Sequence, residues 1–292
     1  MRSLKANLLE LIRRTSVELP EDVVRVIACA AAQEQAGTSA QYAMNIIGQN
    51  IELAKLKSAP LCQDTGSILF FVKAPKGFDQ LALQKAACTA VAEATTKGYL
   101  RQNSVDSITG KNTGDNLGPG SPTFHVEQHR GSRLDVRLIL KGGGCENVGA
   151  QYSLPDTRVG ANRDLDGVRR AILDAVIQAQ GKGCGPGILG VCIGGDRATG
   201  YLHSKEQLLR MMDDVNPDLT LAALEQDIVA TANKLNIGPM GFGGATTLLG
   251  CKIGAQNRLP ASFFVSISYM CWAYRRQGFV LNDAGKIVEW LY

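Results

Sequence analysis

The sequence predicts an α+β fold, or an irregular α/β fold, in which a helical N-terminal segment precedes mixed sheets with flanking helices. The predicted order is helices, strand, helix, hairpin, helix, strand, helices and strands, without the regular alternation of a doubly wound parallel sheet. The phosphate-binding patterns GxxxxGKS and GxxxxGKT do not occur in the sequence. The 292 residues are expected to form one domain, 1–292, with two lobes as the alternative.

Three helices are predicted before the first strand. LKANLLELIRR repeats leucine and isoleucine at helical spacing, EDVVRVIACAAAQEQ follows Pro20, and SAQYAMNIIGQNIELAKLK follows Gly37. The apolar run at 67–74 then predicts a buried strand. The alanine-rich run at 79–97 predicts the next helix.

The rest of the chain mixes strands and helices. PTFHVEQ and RLDVRLIL alternate on either side of HRGS, which predicts a β-hairpin. A glycine- and asparagine-rich stretch at 108–122 is long for a connection and indicates function or disorder. Helices are predicted over 166–180, 204–214 and 219–235, and strands over GILGVCIGG, 245–254 and 262–269.

Composition excludes several classes of protein. The net charge is +4 and the 31 basic residues are scattered, without the basic stripe of a nucleic-acid-binding protein. No run of about 18 apolar residues predicts a membrane span. The N-terminus lacks the apolar core of a signal peptide, so a cytoplasmic location is expected. That location argues against a disulfide framework. Four of the eight cysteines lie in apolar patterns and are predicted to be core residues: Cys29, Cys88, Cys192 and Cys251.

Chemistry-bearing residues are concentrated in glycine-rich segments next to apolar strands. These segments are LCQDTG (61–66), KNTGDN (111–116), KGGGCEN (141–147), GCGPG (183–187) and GPMGFGG (238–244), together with SYMCWAYRR (268–276). Glycines allow sharp turns and close approach to a ligand, and loops at strand ends commonly carry binding groups. Cys62, Cys184 and Cys271 each stand at such a strand–loop junction. Spacing alone leaves two interpretations open, namely one site assembled from distant segments or three unrelated core thiols.

The order of these motifs, over roughly residues 10–280, resembles the α subunit of the iron–sulfur class I fumarases and L(+)-tartrate dehydratases. The resemblance implies that Cys62, Cys184 and Cys271 ligate a [4Fe–4S] cluster at strand–loop junctions. Three thiolates leave one iron open to act as a Lewis acid on the substrate hydroxyl. At the position of Cys145, fumarases usually have serine. Tartrate dehydratases are similar to this chain at that position and in the CWAYRR segment. We expect Cys145 to pack near the site without being a ligand.

The same resemblance assigns substrate contacts. It implies that Gln63, Asp64 and Thr65 contact the substrate, with Asp64 and Thr65 as the catalytic residues. Arg101, in GYLRQN, matches a substrate-binding arginine of the family with a one-residue difference in spacing, and a guanidinium can hold a carboxylate through two parallel hydrogen bonds. Gly144 matches a backbone contact to a substrate carboxylate.

The predicted function is therefore that of a hydro-lyase α subunit. Its substrate would be a four-carbon 2-hydroxy diacid. The two leading reactions are the conversion of L(+)-tartrate to oxaloacetate and the interconversion of malate and fumarate. Mesaconate is a further candidate substrate. Fused members of the family carry a second domain over the cluster, and this chain ends at Tyr292 without one. We therefore expect a β subunit to complete the active site, in an α2β2 or similar heteromer.

Two other classes remain as alternatives. One is a non-catalytic iron–sulfur module that senses iron or oxygen, and the other is a structural protein stabilised by zinc. A sensor has no need of carboxylate-binding groups, so the QDT segment, Arg101 and the three glycines at 142–144 favour the enzyme.

Overall fold

The computed structural model describes residues 2–292 as two compact units. The first unit contains residues 2–21, 49–143 and 273–292, and the second contains residues 22–48 and 144–272. The helices are α1 (Arg2–Val17), α2 (Glu21–Gln33), α3 (Ser39–Lys57), α4 (Gln80–Thr96), α5 (Gly143–Asn147), α6 (Leu165–Ala179), α7 (Arg197–Gln207) and α8 (Leu219–Asn233). The strands are β1 (Ser67–Pro75), β2 (Thr123–His129), β3 (Leu134–Lys141), β4 (Ala150–Leu154), β5 (Gly187–Gly194), β6 (Leu248–Gln256), β7 (Phe263–Met270), β8 (Arg276–Leu281) and β9 (Ile287–Trp290). The α+β class is confirmed.

The first unit is built on a five-stranded sheet in the order β2-β1-β3-β8-β9. Strand β1 pairs in parallel with β2 and antiparallel with β3. Its core joins the sheet to α1 and α4, through residues such as Leu8, Leu11, Phe70 and Leu138. Alanines at 87 and 90 are fully buried, so α4 presents a smooth surface to its neighbours.

The predicted hairpin between PTFHVEQ and RLDVRLIL is wrong. The two segments do form strands, β2 and β3, but β1 lies between them in the sheet. Local alternation predicts a strand correctly and does not determine which other strand it pairs with, because pairing depends on distant residues.

The second unit is built on a four-stranded sheet in the order β4-β7-β5-β6, with helices α6 and α8 contributing to its main core. Strand β5 is buried along its whole length and pairs in parallel with β6 and antiparallel with β7. A central strand covered on both faces explains the continuous apolar run GILGVCIG.

Two further expectations need correction. The helix predicted over 204–214 is α7, which begins at Arg197, because Asp196 and Thr199 form a capping box there. Cys29 is exposed on α2 and is not a core residue, whereas Cys192 and Cys251 are buried as predicted and Cys88 is half-buried. Within residues 2–292, none of the helices is both long and apolar enough to cross a membrane.

Candidate active site

The LCQDTG segment of the first unit leads directly into β1. Cys62 and Asp64 are half-buried, Gln63 is exposed and Thr65 is buried. This pattern places a thiol, an amide and a carboxylate at accessible positions on one short loop. The Thr65 hydroxyl points into the protein instead.

Asp64 is held by hydrogen bonds to both carboxylate oxygens. Oδ1 accepts from Asn103 Nδ2 at 2.5 Å, and Oδ2 accepts from the backbone N–H of Gly143 at 2.6 Å. A Cβ atom on Gly142 would lie 3.0 Å from Oδ2, which is tighter than side chains normally pack, so this approach favours glycine. Hydrogen bonds to an ionised acceptor are among the stronger ones in proteins, and two of them hold the carboxylate in one orientation.

Thr65 fixes the backbone of Arg101. Its hydroxyl donates to the Arg101 carbonyl oxygen at 2.7 Å and accepts from the Arg101 N–H at 2.9 Å. The Arg101 side chain is exposed. The structure thus brings two of the predicted site residues, Thr65 and Arg101, into direct contact through the backbone of the arginine.

Asn116 organises the rest of the segment that follows Arg101. Its Oδ1 accepts from the N–H groups of Asn103 and Ser104, at 2.8 and 3.1 Å. Its Nδ2 donates to the Arg101 carbonyl at 2.8 Å and to Thr95 Oγ1 at 2.9 Å. Asn116 is buried and adopts a φ of 64°, a conformation that asparagine tolerates better than most residues. This one side chain connects the polar 108–122 stretch to the residues beside Asp64.

In the second unit, the segments that carry Cys184 and Cys271 touch each other. Cys184 is exposed, follows a 3₁₀ turn at Gln180–Gly183 and has a φ of 54°. Cys271 directly follows β7 and is buried. The backbone N–H of Trp272 donates to the Cys184 carbonyl oxygen at 3.4 Å. Both predicted strand–loop junctions are confirmed.

Tyr269 is the residue around which these two segments pack. A Cβ atom on Gly183 or Gly187 would overlap the Tyr269 ring, so the GCGPG segment lies directly against it. Burial raises the pKa of the Tyr269 phenol well above its ordinary value. The negative charges that Cys271, Cys145 and Cys184 carry as thiolates raise this pKa further. Cys145 is buried in α5, and like the two predicted ligands it contributes to this shift.

Gly144 is half-buried in α5, and a Cβ atom there would make only an ordinary contact with the Lys182 carbonyl. Sequence reasoning did not single out Asn103, Asn116, Tyr269 or Arg275 as site residues, although each lies within or beside a segment that it identified. The pattern that could have drawn attention to Asn116 is an asparagine within a long polar stretch, since such a residue commonly binds nearby backbone groups.

The cysteines fit an iron–sulfur group by their chemistry. Among residues 2–292, no three histidine, cysteine, aspartate or glutamate side chains are placed to hold a single metal ion. A four-iron cluster binds each thiolate at a different iron, so its ligands stand further apart than those of one ion. Cys184 and Cys271 are thiol donors on adjoining segments, and thiolates are the preferred ligands of such clusters. The predicted set of Cys62, Cys184 and Cys271 stays a prediction.

Comparison with known proteins then decides the family. The model of the fumarate hydratase (fumerase) family matches residues 5–280. This chain belongs to the fumarate hydratase family. The resemblance inferred from the motifs is thereby confirmed. The predicted type of enzyme, a hydro-lyase, is confirmed for the family.

Relatives in this fumarate hydratase family differ in length. The chain is 53% identical over 296 residues to a Geobacillus stearothermophilus protein provisionally named a class I fumarate hydratase, and it spans 58% of that protein's length. It is 32% identical over 272 residues to a Methanocaldococcus jannaschii protein provisionally named an L(+)-tartrate dehydratase subunit alpha, covering 91% of this chain and 93% of that one. It is 30% identical over 264 residues to the L(+)-tartrate dehydratase subunit alpha of Escherichia coli K12, covering 89% of this chain and 85% of that one.

Proposed function

We propose that this chain is the cluster-binding part of a hydro-lyase that adds water to, or removes it from, a four-carbon diacid. Family membership supports the reaction type. The observation that carries the proposal is the fixed carboxylate of Asp64, two residues after a predicted ligand and held by Asn103 and Gly143. Such a preorganised group is suited to acid–base chemistry at a bound substrate.

Cys62, Cys184 and Cys271 would hold a [4Fe–4S] cluster, and the cluster would supply an open iron as a Lewis acid toward the hydroxyl that leaves. Asp64 would hold or accept a proton at one of its carboxylate oxygens. Its two hydrogen bonds keep that carboxylate in one orientation while the substrate binds.

Arg101 and Gln63 would bind the substrate through their exposed side chains. A guanidinium offers paired donors to a carboxylate, and an amide can both donate and accept. Thr65 would act by positioning Arg101, since its hydroxyl both donates to and accepts from the backbone of that residue. The backbone N–H of Gly144 is a further candidate donor to a substrate carboxylate.

A second polypeptide segment would complete the site. The E. coli and Methanocaldococcus relatives are named as alpha subunits, and this chain matches only 58% of the Geobacillus protein. We propose that a β subunit, or an equivalent segment, supplies the remaining substrate contacts in a heteromer such as α2β2.

Malate and fumarate are the first substrates to test, because the Geobacillus protein named for fumarate is 53% identical to this chain, against 32% for the Methanocaldococcus protein named for tartrate. Tartrate follows because Cys145 matches the tartrate dehydratases, and mesaconate is the third candidate. The experiment is anaerobic purification of the chain with any partner that copurifies, followed by assays on all four acids. Iron and sulfide content is measured in the same sample. If an iron-loaded preparation turned over none of the four acids, that result would contradict the proposal and favour a sensing module.

Replacing Cys184 by serine should prevent cluster assembly, because serine removes one of three thiolate ligands. Iron and sulfide content should fall to the background of a metal-free protein, and activity should be lost with it. Cys29→Ser is the matched control, since Cys29 is also exposed and is not a predicted ligand. Full iron content in the Cys184→Ser protein would remove Cys184 from the ligand set.

Replacing Asp64 by asparagine should keep the cluster and lower kcat by roughly 10²- to 10⁴-fold, the usual contribution of a general acid–base group. The reason is that asparagine occupies the same space without the proton-accepting carboxylate. Steady-state kinetics and iron content measured on one sample separate the two effects. Near-normal kcat would show that Asp64 has neither an acid–base nor a carboxylate-orienting role.

A further inference from the structure

Arg275 is a buried cation whose guanidinium is not satisfied by the protein. The residue is 1% exposed, and its Nε and Nη1 atoms have no hydrogen-bond partner among residues 2–292. Its carbonyl oxygen accepts from the N–H of Leu140 at 3.1 Å, so its backbone is fixed beside β3. An unpaired buried charge strongly destabilises a protein, so donors left open in this way call for a specific explanation, such as a ligand.

Two other arginines of the same unit, Arg137 and Arg276, have an ion-pair partner or an aromatic partner for the guanidinium. Arg137 on β3 forms an ion pair with Asp135 at 2.9 Å. The guanidinium of Arg276 lies over the rings of Tyr274 and Tyr292, each 4.5 Å from it. Arg275 differs from both in having no ion-pair or aromatic partner among the residues that the structure describes.

Arg275 lies beside the carboxylate of Asp64. The position that a Cβ atom on Gly142 would occupy is 3.9 Å from Arg275 Nη2 and 3.0 Å from Asp64 Oδ2. Asp64 already accepts hydrogen bonds from Asn103 and Gly143 on its two oxygens. The guanidinium thus stands at the loop where the proposed acid–base group is held, with donors that Asp64 does not occupy.

We propose that Arg275 binds one carboxylate of the substrate, as a second guanidinium in addition to Arg101. The inference rests on the proposed function and deepens it, because a dicarboxylate carries two negative groups that each need a donor set. A planar carboxylate matches the fork of an arginine, and a desolvated guanidinium binds it more strongly than an exposed one does. Before the ligand binds, the buried Nε and Nη1 donors that have no partner lower the stability of the protein.

The test uses the full chain with any partner that copurifies, and succinate, a four-carbon dicarboxylate with no hydroxyl to lose. Thermal unfolding and calorimetric titration are recorded with and without succinate for the wild type, Arg275→Met and Arg275→Lys. Methionine keeps much of the volume without the charge. Arg137→Met is the control, because it removes a half-buried arginine of the same unit that already has an ion-pair partner.

The expected result has two parts that a purely structural arginine would not produce together. Without succinate, Arg275→Met unfolds at a higher temperature than the wild type, whereas Arg137→Met unfolds at a lower one. With succinate, the wild type and Arg137→Met are stabilised, and Arg275→Met binds succinate on the order of 10- to 100-fold more weakly. Arg275→Lys keeps the charge without the forked guanidinium, so its affinity for succinate is expected to lie between those of the wild type and Arg275→Met.

Several outcomes would overturn the inference. One is unchanged succinate affinity in Arg275→Met, and another is a wild-type protein that does not bind succinate. A third is that Arg275→Met no longer weakens succinate binding when Asp64 is also replaced by asparagine, since Arg275 would then only neutralise the charge of Asp64. Each of these is compatible with normal turnover of a diacid, whereas failure of the proposed function would appear as absent turnover in an iron-loaded preparation.

Discussion

The segment that follows Cys62 is held by hydrogen bonds from polar side chains, whereas the segment around Cys184 is held by packing against one aromatic ring. In the first, Thr65 and Asn116 bind backbone groups of residues 101–104. In the second, Gly183 and Gly187 lie against Tyr269 with no room for a side chain. Both segments carry a cysteine next to a strand, so the same kind of position is stabilised by two different forces.

This difference predicts opposite sensitivities. A hydrogen-bonded loop tolerates a small change in volume and responds to the loss of a donor or acceptor. A loop packed against a ring has few polar contacts to lose and responds to any added atom. Substitutions that change either volume or hydrogen bonding can therefore test the comparison.

The largest effect is expected for Gly187→Ala. The added methyl group would overlap the Tyr269 ring inside the fully buried strand β5, and should destabilise the protein by about 3 kcal/mol in denaturant unfolding. Gly48→Ala is the control, because a Cβ atom there meets nothing within 4 Å and alanine favours the helix α3. An unfolding midpoint equal to that of the wild type would show that the ring yields freely.

A smaller effect is expected for Thr65→Val, which keeps the shape and removes both hydrogen bonds to the Arg101 backbone. The free energy of unfolding should fall by about 2 kcal/mol, whereas Thr65→Ser should stay closer to the wild type. Urea unfolding of the three proteins measures the difference. If valine and serine were equally stable, packing and not hydrogen bonding would hold this loop.

The smallest effect on stability is expected for Asn103→Ala, because this side chain is exposed and loses one bond to Asp64. We expect a loss of about 0.5 kcal/mol. kcat should nevertheless fall by roughly 10- to 100-fold, since Asp64 is no longer held in place. Asn112→Ala, in the polar 108–122 stretch, removes bonds to the Gln102 carbonyl and from the Gly114 N–H and should leave kcat unchanged. Equal kcat values for both variants would show that the orientation of Asp64 does not matter.

Many of the helices and strands could be predicted, because short-range sequence patterns indicate them. The helices α1, α2, α3 and α6 have apolar residues at helical spacing, and β1 and β5 are apolar runs. Strand pairing could not be predicted, since β1 separates β2 from β3 through contacts between residues far apart in the chain. The start of α7 was within reach of sequence reasoning, because an aspartate three residues before a threonine is a capping pattern.

The candidate site shows the same division. Thr65 and Arg101 were singled out from motifs, and the structure brings them together. The motifs did not single out Asn103, Asn116 and Arg275, because the role of an amide or guanidinium depends on the groups that surround it in the folded protein. For Arg275 the informative facts are its burial and its open donors, and neither can be read from the letters CWAYRR.

The first unit is assembled from three stretches of chain, and this has a consequence for synthesis on the ribosome. Strand β3 pairs with β8, and residues 144–272 of the second unit are translated between them. The last two strands of the sheet can join only after those residues have emerged, so pairing depends on closing a very long loop, which is slow. Until then β3 keeps an open edge beside apolar residues such as Leu138. A ribosome that stalls before residue 276 would therefore hold a chain whose strand edge is free to pair with its neighbours.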